Sequence, residues 1–163
     1  MKIYSMAAVK RLNRELINIR DYSEFSCSPK NENLFHWDVF IFGPTDTIYE
    51  GGIFRAEFIF SNSYPIDPPK FRFLSKITHP NIYKDGKVCI SILNKGQDIY
   101  GYEKLNERWS PSQGISSVLL SIISMLNDPN FESPANVDAS VLWQKNFNKM
   151  KQIVYHEVAL TQQ

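Results

Sequence analysis

The segment from His79 to Ile90 contains the residue types best suited to catalysis in this sequence. It opens with a His-Pro-Asn turn that ends at Asn81, continues to the Asp85-Gly86 dipeptide, which is typical of a tight turn, and reaches Cys89. A thiolate at the end of a rigid turn can attack a carbonyl carbon, and a nearby Asn81 amide can donate to the developing oxyanion. Acyl transfer needs no acid–base dyad when the acyl group arrives as a thioester. The segment therefore predicts an acyl-transfer site.

The residue types alone also permit other interpretations of this segment. Cysteine commonly packs as a small buried side chain, so Cys89, which has apolar neighbours on both sides, is also compatible with a core position. Asparagine in a tight turn often bonds only nearby backbone, which would give Asn81 a local role. We interpret His79, next to Pro80, as a structural hydrogen-bonding residue, and a His79–Cys89 dyad is the alternative.

The chain before this segment changes from a helical to an alternating pattern. Residues 9–19 have apolar side chains at helical spacing and predict an amphipathic helix with a basic outer face. Residues 20–33 are polar, contain Pro29 and predict a loop. Alternating apolar residues then predict three strands of an antiparallel meander, at residues 37–42, 53–60 and 70–74.

The chain after the segment is helical again, beyond a polar loop at residues 95–108. Ser110-Pro111, followed by Gln113, has the pattern of a helix start and precedes a strongly apolar stretch that predicts a buried central helix. Apolar residues at helical spacing from about Val137 predict further helix. The order of helix, strands and helices predicts an α+β domain.

Length and composition exclude several classes of protein. A chain of 163 residues with 43% hydrophobic side chains fits one globular domain with a full core. A net charge of +1 argues against a dedicated nucleic-acid or membrane-surface binder. Two cysteines do not make a disulfide framework, and the first residues lack the apolar core of a signal peptide. We therefore expect a cytosolic or nuclear protein without direct membrane insertion.

Several motifs, taken together, resemble the ubiquitin-conjugating enzymes. The His-Pro-Asn turn is followed, eight residues after Asn81, by Cys89. Other segments match the family pattern in order, namely residues 8–12, 64–70, 109–111 and 133–138. The match covers nearly the whole chain. The long run between Cys89 and Trp109 resembles the subclass that has an insertion after the active cysteine and is known from endoplasmic-reticulum quality-control degradation.

The resemblance implies a fold and an activity. The expected α+β fold is a four-stranded antiparallel meander sheet packed against an N-terminal helix, a central helix and C-terminal helices. Residues 1–163 would form one catalytic domain, with an insertion loop at about residues 95–108. Cys89 would accept the carboxyl terminus of ubiquitin from the activating enzyme as a thioester. It would then pass the acyl group to a substrate lysine or to a ligase, in protein degradation.

The resemblance also implies roles for the neighbours of Cys89. Asn81 would support the turn or stabilise the oxyanion, whereas His79 and Pro80 would be structural. Glu132 is the candidate for helping the incoming lysine to lose its proton, since a lysine with an ordinary pKa of ~10.4 is mostly protonated at neutral pH. ATP belongs to the activating enzyme, so we expect neither a cofactor nor a metal.

The implied partners are ubiquitin, the activating enzyme, ligases of the RING type and protein substrates. The family's contact surface for the activating enzyme and ligases maps to Lys10, Arg11, Arg14, Ile66, Ser110 and Pro111. Positive charge on the first helix would speed encounter with an acidic partner, although a charged helix face is ordinarily just solvated. The implied location is the cytoplasm, with recruitment to the cytosolic face of the endoplasmic reticulum by partners.

The insertion loop departs from the subclass pattern, which is usually acidic. Its three basic and three acidic side chains balance; they are Lys95, Lys104, Arg108, Asp98, Glu103 and Glu107. A role that needs a negative loop, such as gating the cysteine or favouring particular ubiquitin linkages, is therefore not implied here.

Three alternative functions stay open at this point. A non-catalytic ubiquitin-binding variant of the fold would lack the cysteine, so Cys89 argues against it. A conjugating enzyme for another ubiquitin-like modifier would have the same parts. A cysteine hydrolase would pair Cys89 with His36 or His156, but no hydrolase signature is present. Cys27 has no motif around it, and we assign it no role.

Overall fold

The order of elements is one helix, four strands and three helices. The computed structural model describes residues 3–163. Within them the elements are α1 (Met6–Asn18), β1 (Phe25–Lys30), β2 (Asn33–Phe42), β3 (Ile53–Ile59), β4 (Lys70–Phe73), α2 (Ile115–Asn127), α3 (Val137–Lys145) and α4 (Phe147–Leu160). Two short 3-10 turns, Ser91–Leu93 and Leu105–Glu107, precede α2. No helix formed by residues 3–163 is both long and apolar enough to cross a lipid bilayer.

The strands form one antiparallel meander in the order β1-β2-β3-β4, which confirms the expected α+β fold. Alternation along β2 reflects burial of one face, since Trp37 and Val39 are fully buried whereas Phe40, which points to the opposite face of the strand, is partly exposed. The buried face of the sheet shares one core with α2, in which Val118 and Leu119 are fully buried. The sheet and α2 thus form the base on which the cysteine segment lies.

The prediction of a loop over residues 20–33 is wrong, because these residues include β1. Pro29 is compatible with this strand because β1 is an edge strand, where a missing N–H breaks no interior ladder. A two-residue turn at Asn31 and Glu32, both with positive φ (50° and 61°), returns the chain into β2. Asn-Glu is not the usual dipeptide of such a turn, so the hairpin left little signal.

The predicted helix start at Ser110-Pro111 is also wrong. These residues form a turn, closed by the Gln113 N–H donating to the Ser110 carbonyl at 2.9 Å, and α2 begins only at Ile115. Gly114 occupies the N-cap position and provides no capping side chain. The capping acceptor comes instead from a distant helix, because Glu15 Oε2 accepts the Ile115 N–H at 3.1 Å.

The helical stretch after Val137 is divided into two helices. Asn146 separates α3 from α4 because its backbone (φ −147°, ψ 66°) is not helical. Its side chain accepts the Lys149 N–H at 3.2 Å and so caps α4. The apolar spacing continues across this break, which is why the sequence pattern does not reveal it.

Candidate active site

Cys89 lies at the end of a tightly hydrogen-bonded hairpin. Gly86 has φ +89°, and a Cβ there would lie 2.0 Å from the Phe73 carbonyl oxygen, so only glycine fits this turn. Asp85 Oδ1 accepts the Lys87 N–H at 3.0 Å, which fixes the turn from the other side. The Cys89 N–H donates to the Asn81 carbonyl at 2.9 Å. The thiol is exposed, so the hairpin presents it to solvent beside Asn81.

His79 is fully buried, and both of its ring nitrogens are used by the backbone. Nε2 lies 2.8 Å from the Met125 carbonyl, to which it donates, while Nδ1 accepts the Asn81 N–H at 2.9 Å. The neighbouring carbonyl of Pro80 accepts the Asn136 N–H at 2.9 Å. Neither nitrogen is left for the thiol, which argues against a His79–Cys89 dyad.

Burial lowers the pKa of His79 from 6.5 to about 4, so the ring stays neutral at pH 7. Between these two values the unfolded chain binds a proton at this residue that the folded chain does not. We therefore expect the free energy of unfolding to fall as pH drops from about 6.5 to about 4, by up to about 1.4 kcal/mol per pH unit. Above about pH 6.5 this contribution to stability is complete.

An NMR titration of the histidine rings measures this directly. His36→Gln and His156→Gln variants identify the His79 signal by elimination, and urea unfolding over the same pH range gives the slope. A His79 ring that titrates near its ordinary value would contradict the account.

Asn81 joins the cysteine hairpin to the segment after α2. Its side chain is buried and pairs reciprocally with Asn130, as Nδ2 donates to the Asn130 carbonyl at 2.7 Å and Oδ1 accepts the Asn130 N–H at 2.8 Å. One Nδ2 hydrogen is used in this pair, and a primary amide carries two. The geometry thus combines a structural role with a donor that can serve a nearby oxyanion.

The candidate Glu132 is exposed and lies two residues beyond Asn130. Its N–H donates to Asn130 Oδ1 at 2.9 Å, which ties its backbone to the segment that Asn81 binds. Asn130 was not among the residues that the sequence singled out, because the groups that bind Asn81 are its backbone N–H and carbonyl.

The two cysteines differ strongly in environment. Cys27 is half-buried on β1 opposite Val39, and burial raises the pKa of its thiol from 9.0 to about 12. Because the thiolate is the reactive form, we expect iodoacetamide at about pH 8 to modify the exposed Cys89 at least ~100 times faster than Cys27. Peptide mass spectrometry over a time course measures both rates. Similar rates at the two cysteines would show that Cys89 is shielded.

The six residues expected to contact partners fall into two groups. Lys10, Arg14, Ile66 and Pro111 are exposed, with Ile66 at 62%, whereas Arg11 and Ser110 are half-buried. Arg11 has partners within the molecule, because it donates to the Pro111 carbonyl at 2.8 Å and the Gln113 carbonyl at 2.6 Å. Arg11 therefore joins α1 to the turn before α2, which its sequence position did not indicate.

Glu15 holds together the elements that form this surface. It was not singled out from the sequence. It is 3% exposed and accepts hydrogen bonds from Arg11 Nε at 2.8 Å, the Tyr64 hydroxyl at 2.9 Å and the Ile115 N–H at 3.1 Å. It thereby connects α1, the proline-rich segment 64–70 and the start of α2. The Arg11–Glu15 spacing of four residues was the available signal, since such pairs meet on one helix face.

The loop at residues 95–108 is held by its own acidic side chains. Glu103 accepts the Ser91 hydroxyl at 2.7 Å and also pairs with Arg108. Asp98 accepts three backbone N–H groups, and these bonds, that of Tyr100 foremost, lower the pKa of its carboxyl. Glu107 Oε2 accepts the Lys104 N–H at 3.4 Å, so all three acidic residues of the loop accept hydrogen bonds within the chain. Its exposed apolar side chains are Ile99, Tyr100, Tyr102 and Leu105.

Comparison of the sequence with known proteins identifies its family. The family model for ubiquitin-conjugating enzyme matches residues 11–158. The chain is similar to probable ubiquitin-conjugating enzyme E2 7 of Caenorhabditis elegans, with 46% identity over 93% of the chain and 95% of that protein. It is similar to human ubiquitin-conjugating enzyme E2 G2, with 47% identity over 94% and 98% of the two chains. With Arabidopsis thaliana ubiquitin-conjugating enzyme E2 14 it shares 54% identity over 71% of the chain and 70% of that protein. The chain belongs to the ubiquitin-conjugating enzyme family.

Proposed function

We propose that Cys89 is the residue through which this ubiquitin-conjugating enzyme carries ubiquitin. The observation behind the proposal is that the Cys89 thiol is exposed at the end of a rigid hairpin, where the Cys89 N–H donates to the Asn81 carbonyl. In this proposal residues 1–163 act as one catalytic domain, and residues 95–108 are an insertion next to the site.

The proposed cycle has two acyl transfers. In loading, Cys89 Sγ forms a bond to the carboxyl-terminal carbon of ubiquitin, the thioester on the activating enzyme breaks, and the thiol proton passes to the leaving sulfur. In discharge, a neutral lysine amine attacks the new thioester, a C–N bond forms, and the C–S bond breaks to regenerate the Cys89 thiol. Asn81 supports the turn and donates to the oxyanion during discharge. Glu132, exposed near Asn130, is the candidate for accepting the proton from the lysine.

Ubiquitin is the proposed modifier, and other ubiquitin-like modifiers are the alternative. The test gives the chain ATP and one activating enzyme at a time, each with its own modifier, and follows adduct formation on gels with and without reductant. Among the modifiers tested, we expect only ubiquitin, with its activating enzyme, to form a reductant-sensitive adduct. An adduct only with another modifier would replace ubiquitin in the proposal, and no adduct with any would contradict the cysteine mechanism.

The hydrolase alternative has little structural support. His36 Nε2 lies 2.7 Å from Glu57 on the neighbouring strand, so this imidazole is bound by a carboxylate. His156 is exposed on α4. Within residues 3–163, no hydrogen bond joins either imidazole to the Cys89 thiol.

Family membership implies contacts with ubiquitin, an activating enzyme and ligases, and we propose that the ligases are of the RING type. The proposed contact surface is formed by the exposed residues Lys10, Arg14, Ile66 and Pro111, with Arg11 and Ser110 supporting it. We further propose a cytoplasmic location, recruitment by partners to the cytosolic face of the endoplasmic reticulum, and a role in protein degradation. These finer points rest on the resemblance to the long-insertion subclass.

Truncation of Ile66 tests the ligase surface. We expect Ile66→Ala to reduce RING-stimulated discharge by about tenfold, because an exposed apolar anchor supplies a large share of binding at such a surface. Discharge without a ligase should stay unchanged. Ile53→Ala is the matched control, since Ile53 is 41% exposed at the start of β3. An equal loss in both variants would argue against a specific contact at Ile66.

A further inference from the structure

The C-terminal helix reaches the cysteine segment through one buried carboxylate. Glu157 in α4 is 2% exposed, and both of its oxygens accept hydrogen bonds from Thr78. Oε2 accepts the Thr78 N–H at 2.8 Å, and Oε1 accepts the Thr78 hydroxyl at 2.7 Å. The Thr78 carbonyl in turn accepts the Tyr49 hydroxyl at 2.7 Å. Every hydrogen-bonding group of Thr78 is therefore fixed by a side chain from a distant part of the chain.

Thr78 immediately precedes the turn that positions Asn81 and Cys89. The next residue, His79, bonds a carbonyl of α2 and the Asn81 N–H. The Asn81 carbonyl accepts the Cys89 N–H at 2.9 Å. A continuous series of contacts thus leads from Glu157 through Thr78 and His79 to the reacting residues.

The environment of Glu157 indicates that its main structural role is to bind Thr78. Burial of a carboxylate is unfavourable unless the charge is compensated by hydrogen bonds or by a basic partner. In residues 3–163, no basic side chain lies within ion-pair distance of Glu157, and Thr78 supplies both of the hydrogen bonds to its carboxylate. Burial raises the pKa of Tyr49, and the nearby negative charge of Glu157 raises it further. The Tyr49 hydroxyl therefore keeps its proton and can donate the hydrogen bond to the Thr78 carbonyl.

We propose that Glu157 is a positioning residue for the transfer of ubiquitin from Cys89 to lysine. By clamping Thr78, it holds the His79-to-Asn81 turn in the orientation that aims the Asn81 amide at the thioester carbonyl. This inference rests on the proposed role of Cys89. Displacement of reacting groups by about 1 Å can reduce a rate by about a hundredfold. A small shift of Thr78, passed on through His79 to Asn81, can therefore change the rate of transfer.

The test compares three substitutions at the clamp in the full chain. Glu157→Leu removes both hydrogen bonds at similar size, and Thr78→Val removes the hydroxyl bond alone. Glu157→Gln keeps both in a neutral form, because its Oε1 can accept the Thr78 N–H while its Nε2 donates to the hydroxyl oxygen. Val158→Ala is the matched control, since it truncates a buried side chain one residue further along α4.

The readout is single-turnover discharge to free lysine, measured against lysine concentration after thioester loading. We expect Glu157→Leu to reduce the maximal discharge rate about tenfold and Thr78→Val about threefold, with the lysine concentration for half-maximal rate unchanged. Glu157→Gln should stay within about twofold of the parent. The double variant Thr78→Val with Glu157→Leu should be no slower than Glu157→Leu alone.

Each outcome decides the inference separately from the proposed function. Suppose that Glu157→Leu and Val158→Ala lose the same thermal stability and slow discharge to the same extent. Glu157 would then only stabilise the fold, and the inference would be wrong. The inference is also wrong if Glu157→Gln is as slow as Glu157→Leu, because the bonds would then not matter. If the parent chain forms no thioester, the proposed function fails before the clamp is tested.

Discussion

Replacing Cys89 with alanine is expected to abolish the ubiquitin adduct completely. The thiol is exposed at the hairpin end, and Cys27, the other cysteine, has its thiol pKa raised to about 12 by burial in β1. No second thiolate is therefore available to take over the reaction. Incubation with activating enzyme, ATP and ubiquitin, followed by gels without reductant, measures the loss against the parent chain.

Two variants keep this result interpretable. Cys27→Ala should load at the parent rate, because its thiol is packed opposite Val39 and plays no part in our account. Cys89→Ser should form an adduct more slowly, and that adduct should survive reductant because it is an oxygen ester. A Cys89→Ala chain that still forms a reductant-sensitive adduct would contradict the assignment.

Replacing Asn81 with alanine is expected to slow discharge to lysine by about 100- to 1000-fold, the range found when an oxyanion donor is removed. Loading should be affected much less, because the activating enzyme provides its own environment for that step. The thioester should thus accumulate in the variant. Rates of loading and of lysine discharge, measured separately on the same preparation, test the difference.

The structural role of Asn81 predicts a second effect of this substitution. Alanine leaves both the N–H and the carbonyl of Asn130 without their side-chain partner, which should cost about 1–3 kcal/mol of unfolding free energy. Asn81→Asp is the informative control, since it can still accept the Asn130 N–H but has no amide to donate. We expect it to discharge as slowly as Asn81→Ala. Equal losses of loading and discharge in both variants would indicate a structural role alone.

Local patterns predicted most of the fold. Burial of one face produces the alternation in β2, β3 and β4 and the apolar stripe of α2. Apolar residues occupy the buried positions, so the sequence shows this pattern directly. β1 was missed because an edge strand tolerates Pro29 and leaves one face to solvent, so its sequence resembles a loop. The α2 start was misplaced because its capping acceptor, Glu15, lies in another helix.

The site divides in the same way between local and distant contacts. The His79-to-Cys89 segment has a recognisable sequence because its turns need particular residues, such as Gly86 next to the Phe73 carbonyl. Its supports have no such signature. Asn130 bonds through its backbone and so needs no particular side chain, and Glu157 meets Thr78 across a sequence separation of 79 residues. Pairings of this kind depend on tertiary structure and leave no pattern in the sequence.

The most direct test of the role of Cys89 is to identify the residue that is bonded to ubiquitin. The adduct is formed, and every free thiol is blocked with one alkylating reagent under denaturing conditions. An excess of a thiol reductant then takes the ubiquitin acyl group by thiol exchange and frees the cysteine. After the reductant is removed, the freed cysteine is labelled with a second, isotopically distinct alkylating reagent. Peptide mass spectrometry should find the second label on Cys89 and the first on Cys27. The second label on Cys27, or an adduct that the reductant does not release, would contradict the central claim that Cys89 carries ubiquitin.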